Sequence, residues 1–451
     1  MKITVNPEWE SLKLEEMVSY AIGGDWGKDP KINHESYSDV YCIRGSEFRY
    51  WQQNKGKTAS LRKVKKTSLE KRSLKEGDIL VEISGGGPEQ PVGRTVVIDK
   101  SVLSFSPDIP KICTNFIRLV RLYKEIDSEY VNYFLDFFYR SGEVVKYQAG
   151  SNNLRNLKFG DYLSINIPIP SLNEQKSVIA KIEEIYSDLD NAIDNLKKAK
   201  DQLKVYRQSV LKYAFAGKLC ALESKFITST LGEEFFIVMG QSPKSEFYNN
   251  KGEGLPFFQG KREFSNLYAV ADTWTTSYTK SVKKNDVLLS IRAPIGPVNL
   301  APDKCALGRG LAGFKTNGLT EAKFIFYLLK TLDHEMNKRG TGTTFKAITK
   351  SNLFGIEICL PVSDSDRKKI VQEIESRFSV CDKMEETIDN SLEQAEALRQ
   401  SILKQAFEGN LTEDWRKKHP DLVSGENSAK ALLERIKKER EALKNTKKRK
   451  K

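Results

Sequence analysis

The sequence predicts a mixed α/β (α+β) chain with a pseudo-two-fold internal repeat: two globular domains separated by two long antiparallel coiled-coil helices. Three observations predict it. The stretch Asn173–Leu219 is written again as Ser365–Leu411. Each copy carries an apolar stripe stepping by three and four, the mark of an amphipathic helix that pairs. The segments before each copy share one faint plan of turns, strands and a helix.

The copies end almost alike. Arg207-Gln-Ser-Val-Leu-Lys-Tyr-Ala-Phe-Ala-Gly-Lys-Leu219 stands against Arg399-Gln-Ser-Ile-Leu-Lys-Gln-Ala-Phe-Glu-Gly-Asn-Leu411, with nine of thirteen positions identical. In the first copy the stripe runs through Ile179, Ile182, Tyr186, Leu189, Ile193, Leu196 and Leu203. In the second it runs through Val371, Ile374, Phe378, Cys381, Ile388, Leu392 and Ala395. Ile182, Leu189, Ile193, Leu196 and Leu203 are expected to pair with Ile374, Phe378, Ile388 and Leu392. About 44 residues at about 1.5 Å each make a rod of roughly 65 Å, too long to leave its stripe wet. Lys200 and Glu385 interrupt the stripes with opposite charges, either as a register-setting polar layer or as side chains reaching solvent. Gly217 and Gly409 are the expected stops.

In chain order, residues 1–167 form a first globule. Gly23–Gly27 reads as a turn; Gly77–Ile83 reads as a turn followed by a strand; Val40–Ile43, Thr95–Ile98 and Phe116–Val120 read as strands; Ser128–Tyr139 reads as a helix. Residues 168–219 are the first helical spacer, with Pro168 and Pro170 as a rigid lead-in. Residues 220–358 repeat the first plan: Asn285–Ile291 answers Gly77–Ile83, Glu321–Leu332 answers the helix, and Thr341–Ile348 answers Gly150–Leu157. Residues 359–411 are the second spacer. Residues 412–451 are a basic tail, read as a frayed, solvated helix with a disordered end rather than as a DNA arm.

The chain of 451 residues carries a net charge of +13, which favours a polyanionic partner. Six cysteines without CxxC spacing and three histidines give no zinc site, and scattered thiols suit a reducing cytoplasm. No apolar run reaches the roughly 18 residues of a membrane span. Gly85-Gly-Gly lacks the Lys-Ser/Thr of a phosphate loop. Asn6-Pro-Glu-Trp9 only superficially resembles the motif of amino-methyltransferases, and no pair of groups reads as a catalytic site.

Arg44–Lys75 holds eleven Lys/Arg against Glu47 and Glu70, interleaved with Phe48, Tyr50, Trp51 and amides. Long cations suit phosphates, while amides and guanidinium forks suit base edges, so this stretch reads as DNA-contacting rather than as a solvated loop. Its candidates are Arg44, Arg49, Gln52, Lys55 and Lys57. The corresponding place in the second globule is Phe257-Phe-Gln-Gly-Lys-Arg262, with Gln259, Lys261 and Arg262. Arg292 and Arg309 each stand among small residues, either touching a ligand or holding a strand turn. Asn152, Asn153 and Arg155 in one globule answer Thr343, Thr344 and Lys346 in the other.

These motifs make the sequence resemble the specificity (S) subunit of type I restriction–modification systems. The resemblance spans nearly the whole chain. It is carried by the duplicated Glu174-Gln-Lys helix with its Arg207–Leu219 ending, by Leu255-Pro-Phe-Phe-Gln-Gly-Lys-Arg262, by Ser290-Ile-Arg-Ala-Pro-Ile-Gly-Pro297, by Gly308-Arg-Gly310 and by Thr343–Ile348. Asp366-Arg367 departs from the Glu-Gln of the first copy, and the first globule has few of the second's signature residues. The resemblance implies two target recognition domains reading a bipartite, asymmetric site on double-stranded DNA. It implies helices that act as a ruler and dock two modification subunits. Those partners would carry S-adenosylmethionine and methylate adenine at N6; restriction subunits would add ATP, Mg and cleavage. This chain would then be a non-enzyme. The rival readings are a stand-alone methyltransferase or nuclease, and a coiled-coil scaffold with two protein-binding heads.

Overall fold

A computed structural model describes residues 3–87, 90–150, 154–342 and 346–449. The chain forms two compact units, Met1–Ile193 with Leu392–Lys451, and Asp194–Ser391. Each contains one globular region and part of each long helix.

In the first unit a four-stranded antiparallel sheet runs in the order Val18–Gly23, Ile117–Leu122, Ile79–Glu82, Thr95–Val97. In the second unit the order is Ile237–Met239, Leu311–Phe314, Val287–Ser290, Val298–Leu300, the same topology. In both sheets the strand Ile79–Glu82 or Val287–Ser290 is entered through a left-handed residue, Gly77 (φ 84°) or Asn285 (φ 68°). These are residue types that tolerate this conformation. The aspartate that follows is fully buried in both. Asp78 accepts the Lys75 N–H at 2.7 Å and the Arg121 guanidinium at 2.7 Å. Asp286 accepts the Lys283 N–H at 2.8 Å and the Thr316 N–H at 2.9 Å. The expected strands are present, with Ile117 rather than Phe116 beginning the fourth.

A helix follows each sheet, Ser128–Arg140 and Leu319–Thr331. Asp127 caps the first by accepting the N–H groups of Glu129 and Tyr130. Its Tyr130, Phe134 and Phe137 pack edge and face around Phe407, with ring centroids 5.1 to 5.9 Å apart.

The two long helices are Leu172–Phe215 and Asp364–Phe407, 44 residues each. Both end where the sequence places the glycines: Gly217 at φ 68° and Gly409 at φ 80°. Beyond them, the Lys218 N–H reaches the Tyr213 carbonyl at 3.0 Å and the Asn410 N–H reaches that of Gln405 at 2.9 Å. These are the six-to-one bonds that close a helix through a left-handed glycine.

Within each unit the helix halves run antiparallel. In the first, Ile182 shares a core with Leu403, Ala406 and Phe407, and Arg399 pairs with Asp190 while its guanidinium lies 4.9 Å over Tyr186. In the second, Val210, Leu211 and Ala214 share a core with Ile370, Val371 and Ile374. Arg207 reaches Asp382 at 2.7 Å, and Lys200 reaches Asp389 at 2.6 Å. Lys200 also stands 3.8 Å from Glu385, so the two charges that interrupt the stripes share one polar cluster at half-exposed positions. Ile182, Ile374 and Ile388 are buried; Leu189, Ile193, Leu196, Leu203, Phe378 and Leu392 are half-buried, because two helices cover only one side of each stripe.

The C-terminal segment corrects the expectation of a solvated helix. Helix Ala429–Arg449 sets Leu432 and Ile436 into the core of the first unit. Arg435 reaches Glu125 at 2.9 Å and Arg440 reaches Glu16 at 3.3 Å. Ahead of it, Arg416 donates from Nε at 2.9 Å and Nη2 at 2.7 Å to buried Glu174, at the start of the first long helix. Glu174 also accepts from Thr412 at 2.8 Å and from the Trp9 indole at 3.1 Å. In the second unit, Asp366 takes the N–H groups of Ser224 at 2.7 Å and Glu223 at 3.1 Å. The shorter acid thus meets backbone where Glu174 meets side chains. Arg367 bonds the Pro361 carbonyl at 3.0 Å, much as Gln175 bonds that of Pro170 at 3.1 Å.

Candidate nucleic-acid interface

In the second unit the site begins with two parallel strands. Leu255–Phe258 and Cys305–Leu307 pair in register, Phe257 with Ala306 and Phe258 with Leu307. Because they are parallel, the residues leaving both strands emerge at one edge. Gln259-Gly-Lys261 leaves the first, and Gly308-Arg-Gly310 leaves the second, tied back by the Gly308 N–H to the Phe258 carbonyl at 2.7 Å. Gly310 has to be glycine: a Cβ there would stand 2.1 Å from the Gln259 carbonyl oxygen. The strand Val287–Ser290 delivers Arg292 to the same edge, with the Ile291 N–H on the Gly310 carbonyl at 2.9 Å. Buried Ser290 folds the following loop, its hydroxyl donating to the carbonyls of Arg292 at 3.1 Å and Pro294 at 2.9 Å. Exposed Lys346 joins from the far side, its carbonyl accepting the Ala293 N–H at 2.9 Å.

The result is a cleft of about 180 Å³ lined by Ser242, Gln259, Lys261, Arg292 and Arg309, with a neighbouring one of about 550 Å³ that adds Arg262. Gln259, Lys261, Arg292 and Arg309 are exposed, and their side chains make no hydrogen bond or ion pair with another described residue. Arg262 differs, pairing with Asp272 at 2.8 Å. A crowd of un-neutralised cations carries a free-energy cost that an approaching polyanion removes. An Arg fork beside an amide also matches the donor and acceptor pattern of base edges in the major groove.

The first unit builds the same edge. Tyr37–Ile43 runs parallel to Lys111–Cys113, and the Thr114 N–H reaches the Ile43 carbonyl at 3.0 Å, as Gly308 reaches Phe258. The Ile83 N–H takes the Phe116 carbonyl at 2.9 Å, as Ile291 takes Gly310. The Leu157 N–H takes the Ile83 carbonyl at 2.8 Å, as Ile348 takes Ile291 at 3.0 Å. The charges, however, are spent internally. Arg44 donates to Glu47 from Nε at 3.0 Å and Nη2 at 2.6 Å. Lys55 pairs with Asp99 at 2.9 Å. Arg94 donates to buried Glu82 at 2.8 Å and to the Gly45 carbonyl at 3.0 Å. Arg155 leans on the Gly150 carbonyl at 3.4 Å. Arg49, Gln52 and Lys57 remain exposed.

Sequence reasoning did not single out Arg94 with Glu82, Ser242, or the exposed pair Asn115–Phe116 at the end of the second parallel strand. The sequence reads Phe116 as the start of a strand, and its exposure depends on which side of that boundary it falls. Asn152, Asn153, Thr343 and Thr344 lie outside the described residues.

Chemistry of other kinds finds little footing among the described residues. No group of three or more His, Cys, Asp or Glu side chains is placed to hold a metal ion. Burial pushes the Cys42 and Cys305 thiols up to about 12, so both stay protonated at neutral pH. Among the described residues, no helix is long and apolar enough to cross a membrane.

The family described as "Type I restriction modification DNA specificity domain" matches residues 6–205 and again 223–394. A putative type I restriction enzyme MjaX specificity subunit of Methanocaldococcus jannaschii is 32% identical over 364 residues, covering 77% of this chain and 81% of its own. The type I restriction enzyme EcoKI specificity subunit of Escherichia coli K12 is 27% identical over 463 residues, with 96% of each chain covered. Among solved structures, one described under complex assembly and conformational transition of the type I R-M system has a TM-score of 0.70 at 24% identity, covering 91% of this chain and all of its own. The HsdS subunit from Thermoanaerobacter tengcongensis has a TM-score of 0.58 at 24% identity, covering 90% and 98%.

Proposed function

The chain belongs to the type I restriction modification DNA specificity family, and from that premise we propose how it divides its work. It is a DNA sequence-recognition subunit. Residues 1–167 and 220–358 are two readers, each taking one half of a bipartite, asymmetric site. The observation that carries this reading is the single strand framework built twice with different side chains at its edge. Two readers of one architecture but unlike chemistry read two unlike half-sites. The chain is the non-catalytic member of its complex. Adenine-N6 methylation is done by two modification subunits docked on the long helices, and restriction subunits cleave, all in the cytoplasm.

Helix length sets the unread spacer between half-sites. Four residues inserted after Lys198 add about 6 Å of helix and turn it by slightly more than one turn, so the stripe stays nearly in phase. Methylation-site sequencing of a host carrying the complete operon then reports the same two half-sites with a spacer longer by about one or two base pairs, at about 3.4 Å per pair. A tolerated insertion with an unchanged spacer removes the ruler and leaves the helices as docking surfaces.

A further inference from the structure

The edge of the first unit has a base-reading element that the basic stretch conceals. Three of its cations are occupied: Arg44 by Glu47, Lys55 by Asp99, Arg94 by Glu82. The Ser84 hydroxyl is held by the Asn156 side-chain oxygen at 2.6 Å. Asn115 is exposed, and its amide makes no hydrogen bond with another described residue. Beside it Phe116 is 52% exposed. This pair occupies the place that Arg309-Gly310 occupies in the second unit. Both follow the second parallel strand, and both pass their last carbonyl to the N–H that leaves the central strand of the sheet, Ile83 or Ile291, at 2.9 Å. The backbone there is pinned from a third side. The Asp25 N–H bonds the Cys113 carbonyl at 2.8 Å, and a Cβ on Gly24 would stand 2.1 Å from the Thr114 oxygen. An exposed side-chain pair on so constrained a loop is pre-set rather than floppy, which a reader of base edges requires.

We propose that Asn115 and Phe116 are specificity-determining residues of the first unit. The Asn115 amide offers the paired donor and acceptor that match an adenine edge, and the Phe116 ring offers apolar contact to a thymine methyl. The half-site read by the first unit is therefore A·T at that position. The second unit presents the Arg309 and Arg292 forks, which match guanine, and its half-site carries guanine there. This rests on the two-reader function above.

The test is selection from a randomised duplex pool by the full chain with its co-expressed partner subunits. The wild type enriches two blocks flanking an unselected spacer. Asn115→Ala and Phe116→Ala each relax one A·T position in a single block, with roughly ten- to a hundredfold lower preference there. Arg309→Ala relaxes a guanine in the other block. Asn115→Arg combined with Phe116→Gly, which copies Arg309-Gly310, brings guanine into the relaxed position of the first block. Thermal melts show that the variants remain folded. Unchanged blocks with both alanine variants, or relaxation in the same block that Arg309→Ala relaxes, overturn the assignment. Failure of the wild-type complex to enrich any sequence sinks the two-reader function itself, a result distinct from either.

Discussion

The two proposed reading edges share a backbone and differ in what becomes of their charge. In the second unit Gln259, Lys261, Arg292 and Arg309 face solvent with no partner among the described residues. In the first, Arg44, Lys55 and Arg94 instead bond Glu47, Asp99 and Glu82. A count of lysines and arginines ranks the first edge as the stronger DNA site. Geometry ranks it the other way, because an arginine bonded to a buried carboxylate has no fork left for a base. A basic stretch measures long-range attraction; sequence reading depends on which donors are unspent.

The largest test of this contrast is Arg94→Ala. It strands Glu82, whose side chain is 4% exposed, without its countercharge. Removing one member of a buried pair costs about 3–5 kcal/mol, so chemical denaturation of the first unit should shift by that order. Arg292→Ala, at the corresponding edge of the second unit, should leave the denaturation midpoint where it is. If the two variants destabilise equally, the contrast between spent and unspent charge fails.

Next in size are Arg292→Ala and Arg309→Ala in binding. Each should weaken recognition of one half-site by roughly 1–3 kcal/mol, the worth of a bidentate base contact, and leave the other half-site unaffected. Titration against duplexes mutated in one half-site at a time measures this. Equal loss on both half-sites would mean that these arginines contribute only general charge.

Arg44→Ala should have a smaller effect and of the opposite kind. The Arg44–Glu47 pair is partly exposed and closes the short helix Gly45–Tyr50, where the same Glu47 carboxylate also accepts the N–H of the N-cap residue Arg44. Its loss should cost about 1 kcal/mol of stability, once solvent screening is allowed for, and should change no base preference. A changed preference at one base in the selection assay would return Arg44 to the list of readers.

These differences mark where the sequence was legible. The repeat, both helix ends at Gly217 and Gly409, and the Gly77/Asn285 turns could be read because each is a local pattern. Gln259, Lys261, Arg292 and Arg309 could be read because each follows an apolar strand and stands among glycines or small residues. Arg44 with Glu47 lies three residues apart and was readable in principle as a local pair. Arg94 with Glu82 was not, because the pairing depends on neighbouring strands Ile79–Glu82 and Thr95–Val97 closing on one another. The C-terminal helix misled in the same way. Ala429, Leu432 and Ile436 form a stripe, but the partners of its arginines, Glu125 and Glu16, lie some three to four hundred residues upstream.

The finest test concerns Lys57, exposed beside the short helix Lys100–Ser104 and Ser106 in a shallow cleft of about 360 Å³. Its ammonium has no bond to another described residue, so by charge alone it resembles Lys261. It stands, however, past the end of the short helix Trp51–Asn54, away from the strand ends that aim Asn115 and Arg309. A lone flexible ammonium reads no base pattern and suits a phosphate. Lys57→Ala should therefore weaken binding by well under 1 kcal/mol near physiological salt, alike on cognate and scrambled duplexes. It should also lower the slope of log affinity against log salt by about one. Lys261→Ala should discriminate between those duplexes, because its lysine shares a cleft with two unpaired arginines. If Lys57→Ala discriminates and Lys261→Ala does not, position at the strand ends is not what separates reading from attraction in this fold.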